Sequence, residues 1–284
     1  MHTWHWHTWQ GLPYLTCSLL KDWQHGFFTQ QFWSRSPADL VNVLQPDAEV
    51  YRVKQVHGNI VLSSSEVKQT APSATESNPP SKEGDCPSFP DADGLLADQK
   101  NQAIWVCTAD CTPVLIADEE TGQVAAIHAG WRGTALGIVQ KAVARMQAQG
   151  SQLNHLRVAM GPAIAGEVYQ VSTMVALQVG ATVVNQPVGV TAETETNAQL
   201  DPAEVPDELL NALRQLPDSP LLDDPQPGRA RLDVRRVNAL QLEQMGVSSD
   251  QIAIAPYCTY QNPDLFFSYR RNRQKKVQWS GIVS

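Results

Sequence analysis

Residues 103–133 read AIWVCTADCTPVLIADEETGQVAAIHAGWRG, and this stretch decides the fold class. Ala103 to Asp110, Pro113 to Asp118 and Gln123 to His128 are three apolar runs of strand length. Polar and turn-forming residues separate them. The third run ends in Ala129-Gly130-Trp131-Arg132-Gly133, after which Leu136, Val139, Val143 and Met146 recur at helical spacing and Gly150 marks a stop. Working outward, Leu156 to Met160 is a short strand closed by Gly161-Pro162. Val234 to Met245 is a helix with Val234, Val237 and Met245 inward and Gly246 as its cap. Ile252 to Ala255 and Phe266 to Tyr269 read as strands. Tyr51 to Leu62 reads as a strand, a break at Gly58 and a second strand. Trp4-His5-Trp6-His7 alternates, which suits a strand with both tryptophans on one face; a metal site from His5 and His7 has no third ligand nearby.

Strands and helices alternate irregularly and no fixed-period repeat is present. One α+β (mixed α/β) domain over residues 1–284 is therefore expected. Two polar stretches interrupt it. Residues 63–90 are dominated by Ser, Glu, Pro, Lys and Asn; residues 190–228 by Pro, Asp, Glu and Asn, with one helix starting near Pro206. Both read as flexible insertions within the domain, which makes Cys86 an exposed bystander.

The formal net charge of -8 argues against a nucleic-acid backbone as the main partner. No stretch is long and apolar enough to span a bilayer, and the first residues show no secretory signal. Five scattered cysteines do not form a disulfide framework, so a reducing cytoplasm is the expected compartment. Nothing points to an obligate protein partner.

Three residues end apolar runs, where loops present side chains to a cleft. They are His57 before Gly58, Cys111 after Ala109-Asp110, and His128 before Ala129-Gly130. Taken singly, each has a plain reading as a hydrogen-bonded histidine or a small buried thiol. Their separations match no local zinc signature. Strand alternation would point Asp110 away from Cys111.

The motifs around them carry more. Lys54-Gln55-Val56-His57-Gly58, Thr108-Ala109-Asp110-Cys111-Thr112-Pro113-Val114-Leu115 and Ala126-Ile127-His128-Ala129-Gly130-Trp131-Arg132-Gly133-Thr134 come in order. Gly161-Pro162-Ala163-Ile164 follows, then Cys258-Thr259 with Asp264-Leu265-Phe266-Phe267-Ser268-Tyr269-Arg270-Arg271. From about Gly26 to Ile282 the chain resembles the YfiH-type family, long called polyphenol oxidase or laccase-domain proteins. It departs from that pattern in the two polar stretches, in Asn272 where an acidic residue is common, and in a shortened Phe27-Phe28-Thr29 segment.

The resemblance implies a single layered domain with mixed β-sheets flanked by helices, related to the catalytic domain of cytotoxic necrotizing factor toxins. It implies one zinc ion on His57, Cys111 and His128, which would be the catalytic centre. The activities it implies are phosphorolysis of adenosine, inosine, guanosine and methylthioadenosine, and deamination of adenosine. One bacterial branch is instead linked to removing wrong amino acids from cell-wall precursors, which makes a peptidoglycan-precursor amidase the alternative.

Two imidazoles and a thiolate leave one tetrahedral zinc position open, as in catalytic sites. Zinc brings the pKa of a water it binds towards about 7, the activation a deaminase needs. The usual deaminase signature with its Glu and paired cysteines is missing, so no proton shuttle is assigned. For phosphate, the turn at Gly130-Trp131-Arg132-Gly133 opens a helix, and Arg132 or Arg270 could add a bidentate contact. Cys258 reads as a packing thiol, and Trp131 as either core or a stacking surface.

A multicopper oxidase needs histidines in paired clusters, and this chain has seven in all. Three of them, His2, His5 and His7, fall at the start; copper on the remaining donors would be adventitious. Two other classes stay open: a metal-free hydrolase with Cys111 as nucleophile, and a binding module with zinc as a structural clip.

Overall fold

The computed structural model describes residues 2–70, 89–184 and 207–284. Cys86, with residues 71–88 of the first polar stretch and 190–206 of the second, lies outside the described residues. Among those described, no helix is long and apolar enough to cross a membrane.

Two six-stranded sheets form the centre. The first contains β1 (Trp4–Trp9), β2 (Leu12–Cys17), β3 (His25–Phe28), β15 (Gln278–Val283), β7 (Gln102–Thr108) and β4 (Glu49–Tyr51), in that spatial order. The second runs β14 (Ile252–Ile254), β10 (Leu156–Met160), β8 (Thr112–Asp118), β9 (Val124–Ala129), β6 (Gly94–Ala97) and β5 (Val61–Ser63). Both are mixed: β4 is parallel to β7, β5 to β6 and β10 to β14, and the other pairs are antiparallel. A third, three-stranded sheet joins β11 (Gln170–Ser172), β13 (Arg229–Leu232) and β12 (Leu221–Leu222).

The two-residue side-chain period of a strand explains the layering. Ile104 and Val106 of β7 meet Leu115 and Ala117 of β8 in a core between the two large sheets. Ala103 and Trp105 point the other way, onto Leu40, Val41 and Leu44 of helix α1 (Pro37–Leu44). Val114 and Ile116 pack on the far side of the second sheet, against α4 (Ile138–Ala148) and α7 (Val234–Met245). The order is thus helix, sheet, sheet, helices. The second sheet is covered on both faces at its centre, which is why β8 and β9 are buried at every position. Each fully buried Leu or Ile contributes about 1.5–3 kcal/mol.

Local signals account for the helix ends. Ser36 and Asp39 form a capping box on α1, Asp233 caps α7, and Gly246 takes the left-handed conformation (φ 103°) that ends it.

Several sequence expectations are corrected. The helix after Gly130 is two helices, α3 (Trp131–Ala135) and α4, split at Gly137 (φ 70°), so Leu136 lies at the break and is exposed rather than inward. The strand expected over Tyr51 to His57 stops at Tyr51, and residues 52–60 form a loop closed by a single bridge from Lys54 to Asp91. Phe266 to Tyr269 is not a strand. Arg271 takes the carbonyls of Thr259, Tyr260 and Phe266, so this backbone bonds to a side chain instead of a ladder, and it leads into α8 (Tyr269–Asn272). The first polar stretch starts later than its composition indicates: Ser63 ends β5, and α2 (Ser64–Thr70) follows. In the second, α6 (Asp207–Arg214) occupies the place expected near Pro206. It packs with α5 (Thr173–Gly180) beside the small sheet.

Candidate metal centre

The pairing of β8 with β9 sets Thr112 opposite Ala129 and Pro113 opposite His128, which brings Cys111 alongside Gly130. The loop after β4 arrives from the other side and supplies His57. The donor atoms of His57, Cys111 and His128 all lie within 4.8 Å of one another. The His57 and His128 rings meet edge to face with centroids 4.8 Å apart. His128 is buried, Cys111 half-buried and His57 exposed, so the group opens to solvent on the His57 side.

One carboxylate holds this arrangement. Asp93, fully buried, precedes β6. Its Oδ1 accepts from His128 Nδ1 at 2.8 Å and from the backbone N–H of His57 at 2.9 Å. Its Oδ2 accepts from the N–H of Gly58 at 2.7 Å and of Val56 at 3.2 Å. Its backbone carbonyl accepts the N–H of His128 at 2.7 Å. His57 has φ 62°, a region costly for residues other than glycine, and these bonds stabilise it there. With Nδ1 of His128 donating to Asp93, Nε2 keeps its lone pair for the site. Burial alone would raise the Asp93 pKa, but the bonds from His128 and Gly58 outweigh it and hold the carboxyl below its usual range.

The charges suit a cation. Burial would push the Cys111 thiol up, yet the neighbouring His128 and His57 outweigh burial and bring it down to about 6. Burial would lower the His128 pKa, but the Cys111 sulfur and the Asp93 carboxylate reverse this and raise it to about 9. The site thus favours a negative sulfur with a positive charge beside it. A soft thiolate, two imidazoles and a carboxylate oriented behind one of them make a donor set that fits zinc, with its preference for sulfur and nitrogen. Space for the sulfur comes from Gly130, where a Cβ would sit 2.8 Å from Cys111 Sγ and 3.4 Å from His57 Cδ2.

A polar wall stands beside Cys111. Asp110, at φ 87°, turns its carboxylate to the Thr259 hydroxyl (2.7 Å) and the backbone N–H of Arg270 (2.7 Å). It therefore anchors the segment that carries Arg270, and both its oxygens are engaged. The Arg270 guanidinium donates to the Gln170 carbonyl (2.7 Å) and lies 4.8 Å from the Tyr169 ring centroid. Burial first, then the negative Cys111 sulfur, pushes the Tyr169 phenol up to about 12, against the opposing pull of Arg270 and Arg132. Its hydroxyl has no hydrogen-bond partner among the described residues. Arg132 stacks 4.3 Å over Trp131 and has no carboxylate within ion-pair distance among them. Arg270 thus lies on Tyr169, whereas Arg132 lies on Trp131 and acts on Tyr169 only through its charge. The helix that Gly130 opens is only five residues long, so the positive character here rests on the arginines.

Elsewhere, His7 bonds to Thr16 and stacks on Tyr14, as a surface strand residue would. Cys258 is buried and accepts the N–H of Ala165, in keeping with a packing thiol.

Asp93 and Tyr169 were not singled out from the sequence. Asp93-Gly94 before the apolar Leu95-Leu96-Ala97 was the available signal for the first, although it reads as an ordinary turn. Tyr169 gave none.

Residues 35–213 and 199–283 match the family described as multi-copper polyphenol oxidoreductase laccase. A protein of Synechocystis sp. named purine nucleoside phosphorylase is 47% identical over 281 residues, covering 99% of this chain and 97% of that one. Purine nucleoside phosphorylase YlmD of Bacillus subtilis is 29% identical over 194 residues, 67% of this chain and 58% of its own. Among solved structures, YlmD of Geobacillus stearothermophilus superposes with a TM-score of 0.72 at 23% identity, covering 98% of each chain. The Bacillus licheniformis protein YfiH gives 0.66 at 23% identity, over 95% of this chain and 96% of that one. These likenesses support the same fold.

Proposed function

The chain belongs to the family described as multi-copper polyphenol oxidoreductase laccase, and from that membership we propose that it is a cytoplasmic, zinc-dependent enzyme of purine nucleosides. Its main reaction is phosphorolysis of adenosine, inosine, guanosine and methylthioadenosine, with deamination of adenosine as a second activity. The observation that carries this reading is the convergence of His57, Cys111 and His128, with the Tyr169 phenol, on which Arg270 stacks, sensing the Cys111 sulfur. The names borne by the relatives supply the substrate class. Seven histidines do not furnish the paired clusters of a multicopper oxidase, whatever the family's description, and copper on these donors would be adventitious.

His57, Cys111 and His128 would hold the zinc, which when bound supplies Lewis acidity on its open face. Asp93 keeps His128 in the tautomer that can ligate and holds the His57 loop closed against it. In phosphorolysis an oxygen of phosphate displaces the purine at C1′ of the ribose; the bond to the ring nitrogen breaks, and the base leaves with the electron pair. Arg132 and Arg270 draw the phosphate dianion into the site, and Arg270 can offer planar, paired donors to it. The Tyr169 hydroxyl, kept neutral at physiological pH, donates a hydrogen bond to the incoming anion or the sugar. Adenosine incubated with and without phosphate tests the reading. Adenine formed only with phosphate identifies phosphorolysis, inosine formed without it identifies deamination, and no turnover in either mixture refutes both.

A second reading has its own support. A thiol brought down to about 6 beside a histidine raised to about 9 is the electrostatic pattern of a cysteine nucleophile with its imidazole base. It would suit an amidase acting on peptidoglycan precursors. Metal analysis of protein purified without a histidine tag separates the two. Stoichiometric zinc that disappears in Cys111→Ala supports the ligand role, and an active metal-free enzyme supports the nucleophile.

A further inference from the structure

Away from the metal centre, on the outer face of the first sheet, a cavity of about 280 Å³ opens between the chain before α1 and the start of β15. Trp33, Trp279 and Phe32 give it aromatic walls, and Arg35 and Arg52 reach into it. Neither His57, Cys111, His128 nor Asp93 lines it.

The two arginines are the unusual feature. On this acidic chain, eight other cationic side chains of the described residues pair with carboxylates. Arg52 makes no hydrogen bond or ion pair to a described residue; its guanidinium lies 4.1 Å from the Phe89 ring centroid and 5.7 Å from that of Trp279. Arg35 lies 4.9 Å over Trp9 and 5.6 Å over Phe32, and its guanidinium's hydrogen bond among the described residues goes to the neutral Gln10 side chain. Asp39 senses Arg35, but its carboxylate is held by the backbone N–H and hydroxyl of Ser36. Lys276, 5.7 Å from the rings of both Trp33 and Phe267, adds a third cation at the edge without a carboxylate. Trp33 keeps 46% of its surface exposed. The loop that presents it holds Ser34 at φ 75°, a strained conformation of the kind found at ligand clamps.

Aromatic faces stack planar rings, and guanidiniums without a carboxylate partner are ready-made donors for phosphate. The volume of about 280 Å³ falls just under the usual range of small-molecule sites, about 300–1,000 Å³, and so suits a small ligand. We propose that this cavity is a second binding site, which takes a nucleoside monophosphate with its base against Trp33 and Trp279 and its phosphate on Arg35 and Arg52. The floor of the site is continuous with the metal centre's own strand: Gln278 and Trp279 pair with Thr108 and Cys107, and Cys111 follows within a few residues. The inference does not depend on the reaction catalysed at the metal centre.

Titration calorimetry on the full chain with AMP, adenosine and inorganic phosphate tests it, with tryptophan fluorescence as a second readout. AMP should bind at least tenfold more tightly than adenosine, which lacks the anion, and than phosphate, which lacks the ring. Arg52→Ala, Arg35→Ala and Trp33→Ala should each weaken AMP at least tenfold, Arg52→Lys should restore part of the loss, and Cys111→Ala should leave it unchanged. If Arg52→Ala does not fold, Arg35→Ala and Trp33→Ala carry the test. AMP binding that is abolished by Cys111→Ala and untouched by the cavity variants would assign the nucleotide to the metal centre and overturn the proposal, as would no binding at millimolar AMP.

Discussion

Replacing Asp93 by asparagine keeps the shape of the side chain and removes the property the metal centre depends on, two oxygens that both accept. In the native protein Oδ1 serves His128 Nδ1 and the His57 N–H, and Oδ2 serves the N–H groups of Gly58 and Val56. An asparagine must turn its NH2 group towards one of these pairs, so two donors, one of them buried or both part-buried, lose their acceptor whichever way the amide lies. At about 1–3 kcal/mol for each stranded donor, the folded state should lose roughly 2–6 kcal/mol. The loss falls on the loop that holds His57 at positive φ and on the orientation of His128. Zinc affinity should therefore drop by about 10–100-fold, the usual effect of removing a carboxylate behind a histidine ligand. Competition with a chromophoric chelator measures the affinity, and thermal melts with and without zinc separate loss of metal from loss of fold. An Asp93→Asn protein that binds zinc within about twofold of the wild type would refute the role given to this carboxylate.

Three further outcomes are expected. Gly130→Ala puts a methyl group 2.8 Å from Cys111 Sγ; crowding should cost about 1–3 kcal/mol of stability even without metal, read by urea unfolding, and the displaced thiolate should weaken zinc binding in the same chelator competition. Tyr169→Phe should fold normally and reduce phosphate-dependent nucleoside turnover by roughly tenfold, the worth of one hydrogen bond; unchanged kcat and KM for phosphate would remove Tyr169 from the site. His25 is buried with Nε2 accepting the Cys17 N–H and Nδ1 facing the Trp23 carbonyl, an arrangement only the neutral ring satisfies, and burial lowers its pKa from 6.5 to about 4. Because the unfolded chain takes up the proton first, its contribution is fully present above pH of about 6.5 and is lost as the pH falls to about 4, amounting to about 3 kcal/mol. Urea unfolding of wild type and His25→Gln across that range checks this; parallel curves would contradict it.

Much of the scaffold was legible because its signals are local. The run Leu156–Met160 and the helix Val234–Met245 appear with the expected ends, since period and cap are written within a few residues. The three donors were legible as polar ends of apolar runs. Asp93 was not, because its meaning arises from pairing: β5 beside β6 and β6 beside β9 carry it between two loops far apart in the chain. The small sheet escaped notice for a different reason. Strands such as β11 and β12 span three and two residues, too few for alternation to show. Phe266-Phe267 misled in the opposite sense, as its apolar run imitates a strand while Arg271 takes the carbonyls around it.

The position of β15 also bears on how the protein is made. This strand, translated after nearly everything else described, lies inside the first sheet between β3 and β7, where Gly281 faces Gly26 on one side and Trp105 on the other. On the ribosome, the amino-terminal hairpin and the strand leading to Cys111 must wait with unsatisfied edges until that segment emerges. Closures between such distant parts of a chain are slow and leave intermediates open to aggregation, so chaperone dependence should concentrate in the interval before β15 emerges.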